Sequence, residues 1–168
     1  MVAAGVSGMN GYSFTEVEGV LTKAARGSGA GVAHAVRFAK AAALALASEE
    51  GAELVNVALA DLPNGLIRDH AIWIQRHLAD AGEVTVKFPN GDALWVGYID
   101  SLPYKSVETP TGEIAVYTDV FAKPVRPPRV FITDENMAKW QALAAKTYVP
   151  ETEQSRLGGA GAGLTDND

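Results

Sequence analysis

The apolar side chains of this chain switch period near residue 83. Before it they recur every three or four positions; from Val84 they alternate, and beyond Thr133 the helical spacing returns. A period of 3.6 gathers apolar groups on one face of a helix, and a period of two on one face of a strand. Helices first, hairpins next and a helix last imply an α+β fold. The expected architecture is N-terminal helices packed on an antiparallel sheet of about five strands, followed by a C-terminal helix and a glycine-rich tail.

Local signals place the elements. Ser13 and Glu16 have the spacing of a capping box, Tyr12 and Val17 that of a hydrophobic staple, and Phe14, Val17, Leu21 and Ala24 mark a helical face that Gly27 ends. A second helix is expected over 32–48, with a buried stripe of Val32, Val36, Ala39, Ala43 and Leu46, and with Arg37 and Lys40 in water. Residues 53–62 suit a helix or a buried strand, with helix favoured, and Pro63-Asn64-Gly65 end the segment. Ile67, Ala71, Ile74 and Leu78 define a further helix that Gly82 stops.

The alternating run Val84–Phe88, the turn signal Asn90-Gly91 and the apolar run 93–99 read as a hairpin. A second hairpin is expected from 105–108 and 113–122 around Pro110-Thr111-Gly112. A last strand, 129–132, leads into a helix capped by Thr133 or Asp134 and faced by Met137, Trp140, Leu143 and Ala144.

The length of 168 residues fits one domain, assigned to 1–147, with a tail over 148–168 packed on the domain or on a partner subunit. The absence of cysteine excludes a disulfide scaffold, thiolate zinc sites and a cysteine nucleophile. The first residues lack a basic segment and an apolar core of signal-peptide length, and no apolar stretch is long enough for a bilayer, so a cytoplasmic protein without a membrane partner is expected. Fourteen lysines and arginines against 20 aspartates and glutamates give a net charge of −6, which argues against nucleic acid. The one dense basic run, 123–129, matches a PxxP ligand pattern at 124–127. An exposed irregular connection explains it more simply.

The tail is the least ordinary segment. It runs from Tyr148 through Glu153, Ser155 and Arg156 to glycines that include Gly159 and Gly161, and ends in Asp166 and Asp168. Bare glycine amides suit an anion and paired aspartates a hard cation; a frayed terminus is the structural alternative. A second candidate is Arg26-Gly27-Ser28-Gly29, just before a helix N-terminus, where free amides and the helix dipole favour anions. A tight helix–helix turn is the alternative there. No strand precedes these glycines and no Lys-Ser/Thr follows them, so neither a dinucleotide fingerprint nor a P-loop is present. Ser28 lacks the Gly-x-Ser-x-Gly frame of a serine hydrolase. His70 and His77 share a helix face but stand too far apart for one metal ion, and His34 has no ligand spacing around it, so no metal site is expected. Asp119 would act as an acid or base if it pointed inward, although a solvent-facing strand position suits it better.

The segments 12–18 and 23–29, together with 148–156 and 159–168, resemble an uncharacterised bacterial family, a domain of unknown function. The resemblance implies a stand-alone bacterial protein whose signature lies in these end segments. It supplies no reaction and no established site.

Two functions stay open. One is an enzyme or binding protein for a carboxylate- or phosphate-bearing small molecule, held by Arg26, Ser28, Glu153, Ser155 and Arg156 under the tail. The other is a non-catalytic module, plausibly a homo-oligomer, whose tail docks on a sister subunit or partner enzyme.

Overall fold

The computed structural model describes residues 8–79, 83–86, 92–124 and 126–147. The tail from Tyr148 onward, Gly82, Asn90-Gly91 and Val125 lie outside them.

The chain runs β1 (Met9–Ser13), α1 (Phe14–Gly27), α2 (Val32–Ala45), α3 (Gly51–Ala60), α4 (Leu66–Leu78), β2 (Glu83–Val86), α5 (Ala93–Asp100), β3 (Tyr104–Glu108), β4 (Ile114–Phe121), β5 (Arg129–Thr133) and α6 (Asp134–Ala145). The fold is α+β. Its strands divide into two antiparallel sheets, β1–β5 and β2–β4–β3.

Two similar strand–helix units frame the molecule. Strand β1 ends in Ser13, whose hydroxyl accepts from the Glu16 amide while the Glu16 carboxylate accepts from the Ser13 amide. These bonds hold the Glu16 carboxyl below its ordinary pKa. Strand β5 ends in Thr133, whose hydroxyl accepts from the Asn136 amide and caps α6. The strands pair in register Met9 with Thr133 through Ser13 with Arg129, and α1 packs on α6. Strand β1 was not legible in the sequence. Its Asn10 and Gly11 are poor strand formers, and pairing with β5 makes it a strand. Val130 and Ile132 face the core from this ribbon. On α6, the fully buried Trp140 donates its indole hydrogen to Asn56 of α3, which in turn donates to Asn136.

Helix α2 is the centre of the core. Ala35, Phe38, Ala39, Ala41, Ala42, Ala43 and Ala45 are all buried. The expected stripe is corrected at two positions: Val32 is 58% exposed and Val36 is also exposed. Apolar residues cover almost the whole circumference of this helix, so the sequence pattern did not single out a face. Neighbouring helices settle it by packing on the alanines. Residues 51–60 form a helix, as favoured.

The second correction concerns 93–99. This segment is helix α5, not the return strand of a hairpin. Nearly every residue in it is apolar, so neither period shows. The Asp92 carboxylate accepts from the Leu94 amide at 2.7 Å and starts a helix, and Leu94, Tyr98 and Ile99 are then buried together. Strand β2 pairs with β4 instead, and β4 pairs with β3 across the Thr109–Gly112 turn. Gly97 fits α5 against the backbone of α2. A methyl group at this position would overlap the Ala41 carbonyl. Gly97→Ala is therefore expected to cost about 1–3 kcal/mol in urea unfolding, and an unchanged midpoint would contradict this packing.

Candidate functional site

The Arg26–Gly29 candidate is a tight turn. Gly27 closes α1 where a side chain would overlap the Leu143 carbonyl of α6. Gly29 adopts φ +107°, a conformation that glycine takes without strain. The amides of Ser28, Gly29 and Ala30 donate to the carbonyls of Ala24, Arg26 and Ala25 at 2.9–3.0 Å. These amides are therefore spent on finishing α1, and the expected cradle of bare amides is reduced to the first turn of α2, which has no side-chain cap. Arg26 is exposed, and the Ser28 hydroxyl is buried without a partner among the described residues. Ser28 joins two helices, which is not the strand-to-helix elbow of a hydrolase. The other candidate residues, Tyr148, Glu153, Ser155, Arg156, Gly159, Gly161, Asp166 and Asp168, lie outside the described residues. The last turn of α6 rests on Gly27, so the chain reaches Thr147 close to the α1–α2 turn.

The histidines are not partners. His77 stacks on Trp73 one turn away. His70 is 2% exposed. Its ring stacks on Trp95 of α5 with centroids 3.5 Å apart, and Trp73 meets Trp95 edge-on. This aromatic cluster joins α4 to α5. Among the described residues neither His70 nitrogen has a hydrogen-bond partner, and the Asp92 carboxylate stands 4.0 Å from Nε2. Burial holds the imidazole down to about pKa 4, with Asp92 and Asp69 opposing the shift. Among the described residues no group of three or more His, Cys, Asp or Glu side chains is placed to hold a metal ion. No helix among them is long and apolar enough to cross a membrane.

A cleft of roughly 500 Å³ opens between α2, α4, α5 and the start of β3. That volume lies within the range of small-molecule pockets. Ala71, Ile74, Leu78 and Leu102 supply apolar wall, Tyr98 and Tyr104 add rings, and Arg37, Lys40, Gln75 and Ser101 supply polar atoms. The buried Tyr98 hydroxyl donates to the Ile67 carbonyl at 3.2 Å, and desolvation raises its pKa, so the phenol stays neutral. Two smaller clefts adjoin. One, of roughly 280 Å³, shares Lys40 and Ser101 and adds Phe14 and Arg126. The other, of roughly 270 Å³, shares Leu102 and Tyr104 and adds Lys105, Lys123 and Asp100. Partial burial raises the Asp100 carboxyl, against a hydrogen bond from Ser106.

The three clefts surround the connection 101–104. They hold Arg37, Lys40, Lys105, Lys123 and Arg126, five of the chain's 14 basic residues, and Asp100, one of its 20 acidic residues. No carboxylate among the described residues reaches Arg37, Lys40 or Arg126 within 4.0 Å. In the irregular connection, residues 122–124, 126 and 128 are exposed, as expected, Pro127 is half-buried, and Asp119 faces solvent. The clefts were missed because α2, α4, α5, β3 and the connection 122–128 supply them together. The signal in the sequence was the pair Arg37 and Lys40 on a helix that is apolar apart from these two and His34.

No family model, no curated protein and no solved structure matches the chain.

His70 generates a pH prediction. Its folded pKa lies below the ordinary 6.5, so at pH 7 it is neutral in the folded chain and mostly neutral in the unfolded one. As the pH falls through 6.5 the unfolded chain takes up a proton that the folded chain refuses, and stability is lost down to about pH 4. Allowing for screening on the Asp92 side, the loss is on the order of 2 kcal/mol. His70→Phe keeps the stacking and should lose that much less stability than wild type between pH 7 and pH 4 in urea unfolding. Parallel profiles would contradict the assignment.

Proposed function

We propose that this protein binds an anionic small molecule with an apolar body, carboxylate- or phosphate-bearing, in the cleft between α2, α4 and α5. The observation that carries this reading is the placement of Arg37 and Lys40, with no carboxylate of the described residues in reach, at an apolar cleft of an acidic protein. Arg37 is exposed and donates to Gln75 at 3.4 Å, a long bond that an incoming anion would displace. A charge-assisted bond to a carboxylate or phosphate is stronger than that contact. The apolar wall would take up a hydrocarbon portion at about 25 cal/mol per Å². This moves the expected anion site away from Arg26–Gly29, whose amides are already used. The reading is one of binding, because the described lining supplies cations, apolar wall and hydrogen-bonding groups.

Calorimetric titration with octanoate, octyl phosphate and octanol tests it. Wild type should bind at least one of the two anions and bind octanol more weakly. Arg37→Gln should weaken the anion by about tenfold, the equivalent of about 1.4 kcal/mol, with the melting temperature unchanged. Equal affinity for octanol and both anions would overturn the reading.

A second reading, an interaction module, is favoured by one face of the β1–β5 ribbon. Met9 and Phe131, 65% and 62% exposed, lie on that face, and exposed apolar patches mark contact surfaces. Sedimentation of the full chain should then show an oligomer that Phe131→Ser dissociates. A wild-type monomer at all concentrations would end the homo-oligomer form of this reading.

A further inference from the structure

We infer that the ligand carries two anionic groups joined by an apolar spacer, one seated at Arg37 in the large cleft and the other at Arg126 in the adjoining small one. The inference rests on the reading of the large cleft as an anion site and extends it to the substrate class. Three observations carry it. First, the two clefts adjoin at Lys40 and Ser101, so a single elongated molecule bound across both would lie beside an ammonium group and a hydroxyl. Second, among the described residues neither cleft is lined by an acidic residue, and none of their carboxylates neutralises Arg37, Lys40 or Arg126. Three cations along one path are more than a single carboxylate can engage, since a guanidinium pairs fully with one carboxylate in fork geometry. Third, the Arg126 guanidinium stands 5.3 Å from the centroid of the Phe14 ring. Phe14 is buried at the start of α1, so the ring is fixed, and the cation–π contact holds the guanidinium at the small cleft before any ligand arrives.

The walls between these cations are apolar. Leu44, Pro103 and Pro124 line the small cleft, and Leu102 and Ile74 the large one. The spacer is therefore hydrocarbon-like, and the class is a dicarboxylate or a carboxylate with a distal phosphate.

Titration of the full chain with octanoate and with the dicarboxylates adipate, suberate and sebacate tests this. The best-fitting dicarboxylate should bind about tenfold or more tighter than octanoate. Arg126→Gln should erase that advantage while leaving octanoate affinity unchanged, and Arg126→Lys should keep part of it. A thermal melt of each variant verifies that it is folded. If octanoate binds and no dicarboxylate binds tighter, or if Arg126→Gln keeps the full advantage, the two-anion inference is overturned and the large-cleft reading stands. If octyl phosphate alone binds, the large-cleft reading stands and this inference is overturned; if none of octanoate, octyl phosphate and the dicarboxylates binds wild type, the large-cleft reading fails and takes this inference with it.

Discussion

The close approach of neighbouring backbones to α2 is the constraint on which the rest of the structure depends. Its buried face is almost entirely alanine, so little side-chain volume separates it from its neighbours. Alanine loses no side-chain rotamer entropy on burial and leaves the packing to backbone contact and to large groups from other elements. The demand is mutual, because α5 must present Gly97 where it meets the Ala41 carbonyl. With α1, α4 and α5 all packed on it, α2 has one strip left open. Arg37 and Lys40 project from that strip, so the core helix also fixes two of the cleft's cations.

Charge decides how the cleft acts. A chain of net charge −6 would be expected to repel anions. At physiological ionic strength, exposed charges beyond about 8 Å are largely screened, so a ligand in the cleft meets mainly the residues that line it. Among the described residues, the charged side chains of the cleft itself are Arg37 and Lys40, and its two neighbours add Lys105, Lys123, Arg126 and Asp100, the last with a raised pKa. Apolar walls beside the cations lower the local dielectric and strengthen each contact.

Much of the fold was legible because local chemistry specified it. The capping box at Ser13 and Glu16, the cap at Thr133, and the regular faces of α1, α4 and α6 each depend on residues within a turn or two. The failures lie where distant partners decide. Strand β1 exists through β5, α5 is a helix because Asp92 starts it and α2 receives it, and Val32 and Val36 of α2 are exposed because its neighbours leave them uncovered. The aromatic cluster around His70 joins two helices separated by a strand and could not be read from spacing. The Arg26–Gly29 segment was legible as a glycine-rich turn. Its amides were not, because their use depends on which carbonyls α1 leaves at its end.

The central claim is the location of the anion, and a crystal structure of the full chain grown with suberate tests it most directly. The account predicts one carboxylate within about 3 Å of an Arg37 or Lys40 nitrogen, with the hydrocarbon chain lying along Leu102. A carboxylate seated instead at the α1–α2 turn beside Arg26, with the α2–α4–α5 cleft empty, would contradict it.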